Sequence, residues 1–338
     1  MDRFQTKPYL RIAQIALICL FTLILIVVAS LYLPPGIDWR DTYRPATLAL
    51  VSGKSPYSVD IFFIAPWGLI PLIPFALLPE NIGRAILFLL GIGSFAFTAH
   101  RLGAKPPALI AFLLSPPVAH CLLNSNIEWL PLLGFIMPPQ IGLFFIAIKP
   151  QIGIGVGLFW LIDAWRRDGF REVIRVFWPV SFALLISFFI FGLWPMRFQD
   201  TLSLTRAYNA SLWPSSIPIG LTLLVASIRK RNINYAMASS PCLSPYVLLH
   251  AWVGALVSVV SQPVETITAV IGLWILVIIR VYSGDLWRSS VAFQAAPSTT
   301  ACSRLVGFCA VFEHFSGFEF FQLPSIVHAR PRASNANR

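Results

Sequence analysis

The 338-residue sequence predicts an all-α, polytopic transmembrane helical bundle of about ten spans, and three observations carry that reading. First, 57% of the residues are hydrophobic, 12% are charged and the mean hydropathy is +0.75, whereas a soluble domain carries about 25% charged residues. Second, apolar runs follow one another from Ile12 to Tyr282 with only short breaks, and each crossing of a bilayer core takes roughly 20 apolar residues. Third, Lys and Arg gather in those breaks, the pattern by which cytoplasmic loops fix orientation. Lipid offers the backbone no hydrogen-bond partner, so such runs must close their bonds internally as helices. The net charge of +11 therefore belongs to topology. No basic stripe with interleaved aromatics stands out, and a nucleic-acid partner is not expected.

The first predicted span, 12–33, is too long for a signal-peptide core and lacks a small-residue cleavage site, so it is read as retained. An outer loop follows, in which Asp41 to Val51 places Ala46, Leu48, Leu50 and Val51 behind a polar start. That pattern predicts a short helix lying on the membrane surface, ended by Gly53 and Pro56. The remaining spans are predicted at 62–78, 82–99, 107–123, 127–148, 151–165, 172–193, 217–228, 236–260 and 262–282. Pro71 and Pro74, Pro116 and Pro117, and Pro138 and Pro139 interrupt three of them. Broken helices are tolerated at membrane depth only where protein or a wet cavity covers the freed backbone groups, so the bundle is expected to enclose a cavity.

Four basic groups set the orientation: Arg3, Lys7 and Arg11; the segment Trp165–Arg171; Arg229–Arg231; and Arg280 with Arg288. Ten alternating spans put all four on the cytoplasmic side together with both termini, while Arg101 and Lys105 fall on the opposite side. The membrane domain is expected over 1–284. Residues 285–338 form an atypical tail, rich in Ser, Thr, Ala and Phe, with no clean span and a disordered end from Ala329. Cys19, Cys121, Cys242, Cys302 and Cys309 form no CxxC pair and read as small apolar residues. No eukaryotic targeting signal is visible, and a bacterial inner (plasma) membrane is the expected location.

Chemistry is most plausible where carboxylates meet the interface. Asp38 and Asp41 lie just past the first span, and in a short helix or turn they would share a face. A partly desolvated carboxylate has a raised pKa and can act as a general base. The plainer alternative has Asp38 capping a helix and Asp41 paired with Arg40 or Arg44. His120 and His250 lie in apolar settings; intramembrane ionisable residues are functional candidates, although a His bonded to a neighbouring helix is the commoner case. Asp163, one turn before Arg166 and Arg167, is expected to pair with them. Lys149 either snorkels to the interface or offers a cation to an anionic substrate. Two carboxylates alone make a poor cation cage, and no metal or other cofactor is expected.

The run Asp38-Trp39, Tyr43, Ala46 and Gly53-Lys54-Ser55-Pro56-Tyr57 resembles the opening of glycosyltransferase family 87, membrane enzymes of the GT-C class. The proline-rich run Ala65-Pro66-Trp67 to Leu78 and the pair Lys149-Pro150 extend the likeness. Asn124, Asn126 and Glu128 stand where that family often has an Asn and a Gly-Gln pair, and the Gly-Gln is absent here. The likeness covers roughly residues 10–195 and does not reach the tail. It implies a hexosyltransferase, mannosyltransferases being among its members, that uses a polyprenyl-phosphate sugar and needs no nucleotide-binding fold. Its acceptor would be a lipid or glycan hydroxyl at the outer face. By the same likeness Asp38, with Asp41 as fallback, would be the base of an inverting transfer. Tyr43, Arg44, Tyr57, Lys149 and Arg206 would face the substrates, with membrane lipids around them. Two other readings stay open: a transporter or flippase of lipid-linked sugars, and a non-catalytic assembly protein. Against transport stand the few midplane charges and the lack of an internal repeat.

Overall fold

The computed structural model describes residues 8–197 and 209–283. Every regular element among them is helical, with no strand. The chain divides into two units, Met1–Leu276 and Val277–Arg338, and only the last turns of the C-terminal helix represent the second. The predicted boundary at 284, the tail beyond it, and Arg3, Lys7 and Arg288 lie outside the described residues.

Helix α1, Pro8–Tyr32, is followed by a π-helical turn, Asp38–Tyr43, which runs into α2, Arg44–Val51. Gly53, at φ 73°, ends that segment near the predicted stop. A 3-10 turn Pro66–Leu72 leads to α3, Ile73–Ala76, and then to α4, Glu80–Arg101. Prolines start four of the next five helices: α5, Pro106–Leu113; α6, Pro116–Leu123; α8, Pro139–Ile146; and α9, Pro150–Phe191, while α7, Trp129–Gly134, starts without one. Proline lacks the N–H that a first helical turn leaves unpaired anyway, so it starts a helix readily and stops the one before it. After the undescribed segment come α10, Ile217–Lys230; α11, Ile233–Cys242; a 3-10 turn, Leu249–Trp252; α12, Val253–Val257; and α13, Pro263–Ser283.

Three of these helices are long and apolar enough to cross a membrane, within Arg11–Tyr32, Glu80–Arg101 and Pro150–Phe191. The pair α5–α6, bent by 51°, makes a fourth if it is one span. The predicted spans at 62–78, 127–148 and 236–260 fall on short helices separated by turns, with prolines at or near the breaks, while 217–228 and 262–282 coincide with the single helices α10, Ile217–Lys230, and α13, Pro263–Ser283. Helix α1 exposes Leu17, Ile18 and Phe21 at 60% or more. So long an apolar surface is stable only against lipid or another protein. Arg84 of α4 ties it down by donating to the Ser30 carbonyl at 3.3 Å.

The core gathers Trp39, Leu69, Leu72, Phe95, Phe112 and Ile127, all fully buried. Helix α9 passes α11 at very close range at Gly155. A Cβ there would meet Ser239 Oγ at 2.1 Å and the Ala236 carbonyl at 2.5 Å, so only glycine fits. The same approach lets Ser240 Oγ accept from the Gly155 N–H at 3.1 Å. The 42-residue α9 is itself two arms joined at Asp168 and Gly169, inside the predicted basic loop. Gly169 stands at φ 57°, ψ −142°, a region essentially closed to residues with a Cβ.

At that hinge Arg166 donates to the Ile228 carbonyl at 3.0 Å, which brings the Trp165–Arg171 segment beside the basic end of α10. Asp163 pairs with Arg167 at 3.2 Å, as expected from the sequence. From Lys149, at the head of α9, to Arg166 is seventeen residues, or about 25 Å at ~1.5 Å per residue. That distance is close to the thickness of a bilayer core.

Candidate functional site

The site is built around a five-residue link, Asn124–Glu128, between α6 and α7. Ser125 takes φ 54° there, a left-handed conformation uncommon for a residue with a side chain. The reversal lets the Asn124 carbonyl accept from the Asp38 N–H at 3.1 Å, and it turns the Asn126 amide toward the same residue. Asn126 Nδ2 donates to Asp38 Oδ2 at 2.6 Å. Asp38 is thus held through both its backbone and its side chain by one link.

Asn126 Oδ1 faces the other way. It accepts from the Ile127 N–H at 2.7 Å, from the Lys149 ammonium, and from the Tyr43 hydroxyl at 3.3 Å. The amide orientation follows: with donors converging on Oδ1, Nδ2 has to face the carboxylate. Lys149 also donates to Glu128 Oε1 at 2.9 Å, and the two side chains are only 4% and 0% exposed. A buried charge is tolerated only when paired and hydrogen-bonded, and here both conditions are met for Lys149.

Glu128 Oε1 carries a second contact, His250 Nε2 at 3.1 Å. Its angle falls outside hydrogen-bond geometry, so we read it as an electrostatic contact with the ring N–H turned toward the carboxylate. His250 stacks on His120 with centroids 5.3 Å apart and planes at 13°, and their Nδ1 atoms lie 3.2 Å apart. Two N–H groups cannot face each other at that distance, so one Nδ1 donates and the other accepts. Asn124 Nδ2 is fixed by donating to the His120 carbonyl at 3.1 Å and sits 3.2 Å from His120 Nε2. His120 Nε2 is therefore the acceptor, and its Nδ1–H donates to His250. The contacts form a closed circuit: Asp38, Asn126, Lys149, Glu128, His250, His120, Asn124 and, through the Asn124 carbonyl, Asp38 again.

One atom of that circuit stays open. Asp38 is only partly buried, and Oδ1 has no hydrogen-bond or ion-pair partner among the described residues. Burial still dominates its electrostatics and raises its pKa above the ordinary 3.8, offset in part by the Asn126 hydrogen bond and the Lys149 ammonium. Burial likewise raises the Tyr43 phenol, so its hydroxyl stays protonated as a donor. Glu128 Oε2 and Asn124 Oδ1 are buried without a hydrogen-bond partner among the described residues.

The structure therefore brings Asp38, Tyr43 and Lys149 together, and it places the other candidates elsewhere. Asp41 does not share a face with Asp38. The i→i+5 bonding of a π turn widens the spiral, so residues three apart no longer align. Asp41 is exposed and takes both Nε and Nη2 of Arg40, at 2.7 and 2.8 Å. Arg44 is half-buried and donates to the Leu78 carbonyl at 3.4 Å. Tyr57 is a packing residue here: its hydroxyl donates to the Ile64 carbonyl at 2.9 Å, and its ring stacks on Trp194 at 5.5 Å. Arg206 lies outside the described residues. No group of three or more His, Cys, Asp or Glu residues arranged to hold a metal occurs among the described residues.

In the sequence Asn124, Asn126 and Glu128 carry no role of their own, and the two histidines stand as functional candidates whose commoner reading is a bond to a neighbouring helix. A signal was present, since Asn124-Ser125-Asn126-Ile127-Glu128 is a polar run between two apolar stretches. Neither family models, curated proteins nor solved structures yield a match to this chain.

Proposed function

We propose that the chain is a membrane-embedded hexosyltransferase of GT-C type. It moves a hexose, mannose in the first instance, from a polyprenyl-phosphate donor to a hydroxyl of a lipid or glycan acceptor. The observation that carries this reading is Asp38: one carboxylate oxygen held by Asn126, the other open, and a pKa raised by burial. A general base needs that combination of fixed position, free lone pair and elevated basicity. Asp38 Oδ1 takes the acceptor's hydroxyl proton as the acceptor oxygen forms its bond to the anomeric carbon. The bond from that carbon to the phosphate oxygen breaks on the opposite face, and polyprenyl phosphate leaves with inversion.

The donor phosphate needs a cation. Lys149 is already engaged by Glu128 and Asn126, so the phosphate contact is assigned to Arg44, which would have to turn from the Leu78 carbonyl toward the Asp38 site, with Arg206 as the second cation of the proposal. The resemblance to glycosyltransferase family 87 supports Asp38 as the base. In this reading the chain crosses a bacterial inner membrane about ten times, several crossings being made by broken helices. The two basic segments that meet at the α9 hinge face the cytoplasm with both termini. The Asp38 site, about 25 Å away along α9 at ~1.5 Å per residue, opens toward the outer leaflet.

A second reading rests on one observation. A buried Lys–Glu pair beside two histidines is the kind of ionisable cluster that proton-coupled transporters carry at depth, so transport of lipid-linked sugars is the rival. The test is transfer of mannose from polyprenyl-phosphate mannose in membranes containing wild type or Asp38→Ala. Transfer by wild type and its loss in the variant is the expected result; equal transfer removes Asp38 from the mechanism. Substrate uptake by proteoliposomes, with no transfer, would favour the transporter.

A further inference from the structure

We infer that Asn126 is a positioning residue for Asp38, and that it couples Asp38 to the buried Lys149–Glu128 pair so that proton uptake at this site occurs at Asp38 Oδ1. The inference rests on the reading of Asp38 as the base and adds to it the parts that hold and bias the carboxylate.

The geometry points to one hub. Lys149 makes no direct hydrogen bond to Asp38; it donates to Asn126 Oδ1, and Asn126 Nδ2 donates to Asp38 Oδ2. The amide thus links the ammonium to the carboxylate in one direction only. Polarised this way, its N–H is a stronger donor than an isolated amide. Glu128 anchors the other end by fixing the ammonium at 2.9 Å.

The remaining atoms of the circuit are poor proton acceptors as arranged. His120 Nε2 faces Asn124 Nδ2, and His250 Nδ1 faces the His120 Nδ1–H, so the acceptor nitrogen of each ring is already taken. Glu128 could be protonated only at the expense of its pairing with Lys149. Asp38 Oδ1 alone combines accessibility with no bond to break. The titratable groups that face Asp38 are Tyr43 on its own turn, His120 and Cys121 on α6, Lys149 at the head of α9 and His250 on the 3-10 turn before α12. Of these, Lys149 and Tyr43 both donate to Asn126 Oδ1, and Lys149 is the one that brings a charge into the relay.

Asn126→Asp separates the two halves of the relay, because it keeps an acceptor for Lys149 and removes the donor to Asp38. Dicyclohexylcarbodiimide, which modifies protonated carboxyl groups in apolar surroundings, reports the protonation of Asp38 without any substrate. Labelling of the purified full-length protein in detergent is followed by peptide mass spectrometry against pH, with Asp38→Asn identifying the labelled residue. In Asn126→Asp two carboxylates share one site, and the pH of half-labelling at Asp38 is expected to rise by about one unit or more. Asn126→Leu, which removes donor and acceptor together, is expected to raise it as well. In the transfer assay both variants lower kcat while KM stays near wild type. Half-labelling at the wild-type pH in folded, monodisperse Asn126→Asp overturns the relay, whatever happens to activity. A shifted midpoint in a protein whose wild type transfers no sugar upholds the relay and defeats the glycosyltransferase reading instead.

Discussion

Replacing Lys149 by Met removes the cation to which Glu128 is paired, and the structure sets the size of the effect. The ammonium and the carboxylate are 2.9 Å apart, with side chains 4% and 0% exposed. Glu128 Oε2 already lacks a hydrogen-bond partner among the described residues. After Lys149→Met the fully buried carboxylate keeps only its off-angle contact with His250. Breaking one partner of a buried pair costs about 3–5 kcal/mol. At ~2–4 °C per kcal/mol for a domain of this order of size, Tm falls by roughly 6–20 °C. Glu128→Gln strands the ammonium in the same way and is expected to cost a similar amount. The double variant, Lys149→Met with Glu128→Gln, buries no unpaired charge and recovers most of the loss, because the cost lies in the stranded ion and not in the missing contact. The assay is thermal unfolding of the detergent-purified full chain, wild type against the two singles and the double. A loss below about 1 kcal/mol in Lys149→Met would refute the reasoning, as would a double variant whose loss equals the sum of the singles.

Three further outcomes follow from the geometry. Asp41→Ala removes an exposed pair with Arg40, so it changes stability by less than about 1 kcal/mol and leaves transfer at the wild-type rate; a large loss of transfer would return Asp41 to the site. Gly155→Leu forces a side chain into Ser239 and the Ala236 carbonyl, so α9 and α11 must separate, with an expected cost of about 1–3 kcal/mol or more in the same unfolding assay; an unchanged Tm would mean that the two helices are not packed this closely. The folded-state pKa of Asp38 is raised above 3.8 by burial. Its neutral form therefore favours the fold, and that contribution is complete below 3.8 and lost as pH rises through the raised value. Across that window wild-type Tm should fall relative to Asp38→Asn, while wild-type transfer should rise as the base ionises; parallel stability curves for the two proteins would show that Asp38 is not buried as described.

Where the elements begin and end was largely readable from the sequence, for local reasons. Proline at positions 106, 116, 139, 150 and 263 starts helices because its missing N–H costs nothing in a first turn. Gly53 ends the helix after the outer loop because the chain turns there to a positive φ. The number of crossings was less readable. Hydropathy averages over a window, and it runs across Pro116 and Pro117 without registering that α5 and α6 meet at 51°. The expectation that Asp38 and Asp41 share a face failed for a related reason, since spacing three assumes an α turn and the backbone there is a π turn.

The sequence by itself determined that this chain is helical, that at least its longest helices suit a bilayer, and that Asp38 stands just past the first of them. Those properties follow from composition and from contacts a few residues apart. Only the tertiary structure decided what surrounds Asp38. Asn126 lies 88 residues away along the chain, and His250 lies 130 residues from the His120 ring it stacks on. No periodicity records such pairs. They are fixed by the packing of α6, the head of α9 and the 3-10 turn Leu249–Trp252 into one core, where a charge without a partner costs so much that Lys149 is stable only when paired. That requirement turned Lys149, expected at the interface as a cation for a phosphate, into the buried partner of Glu128 and Asn126.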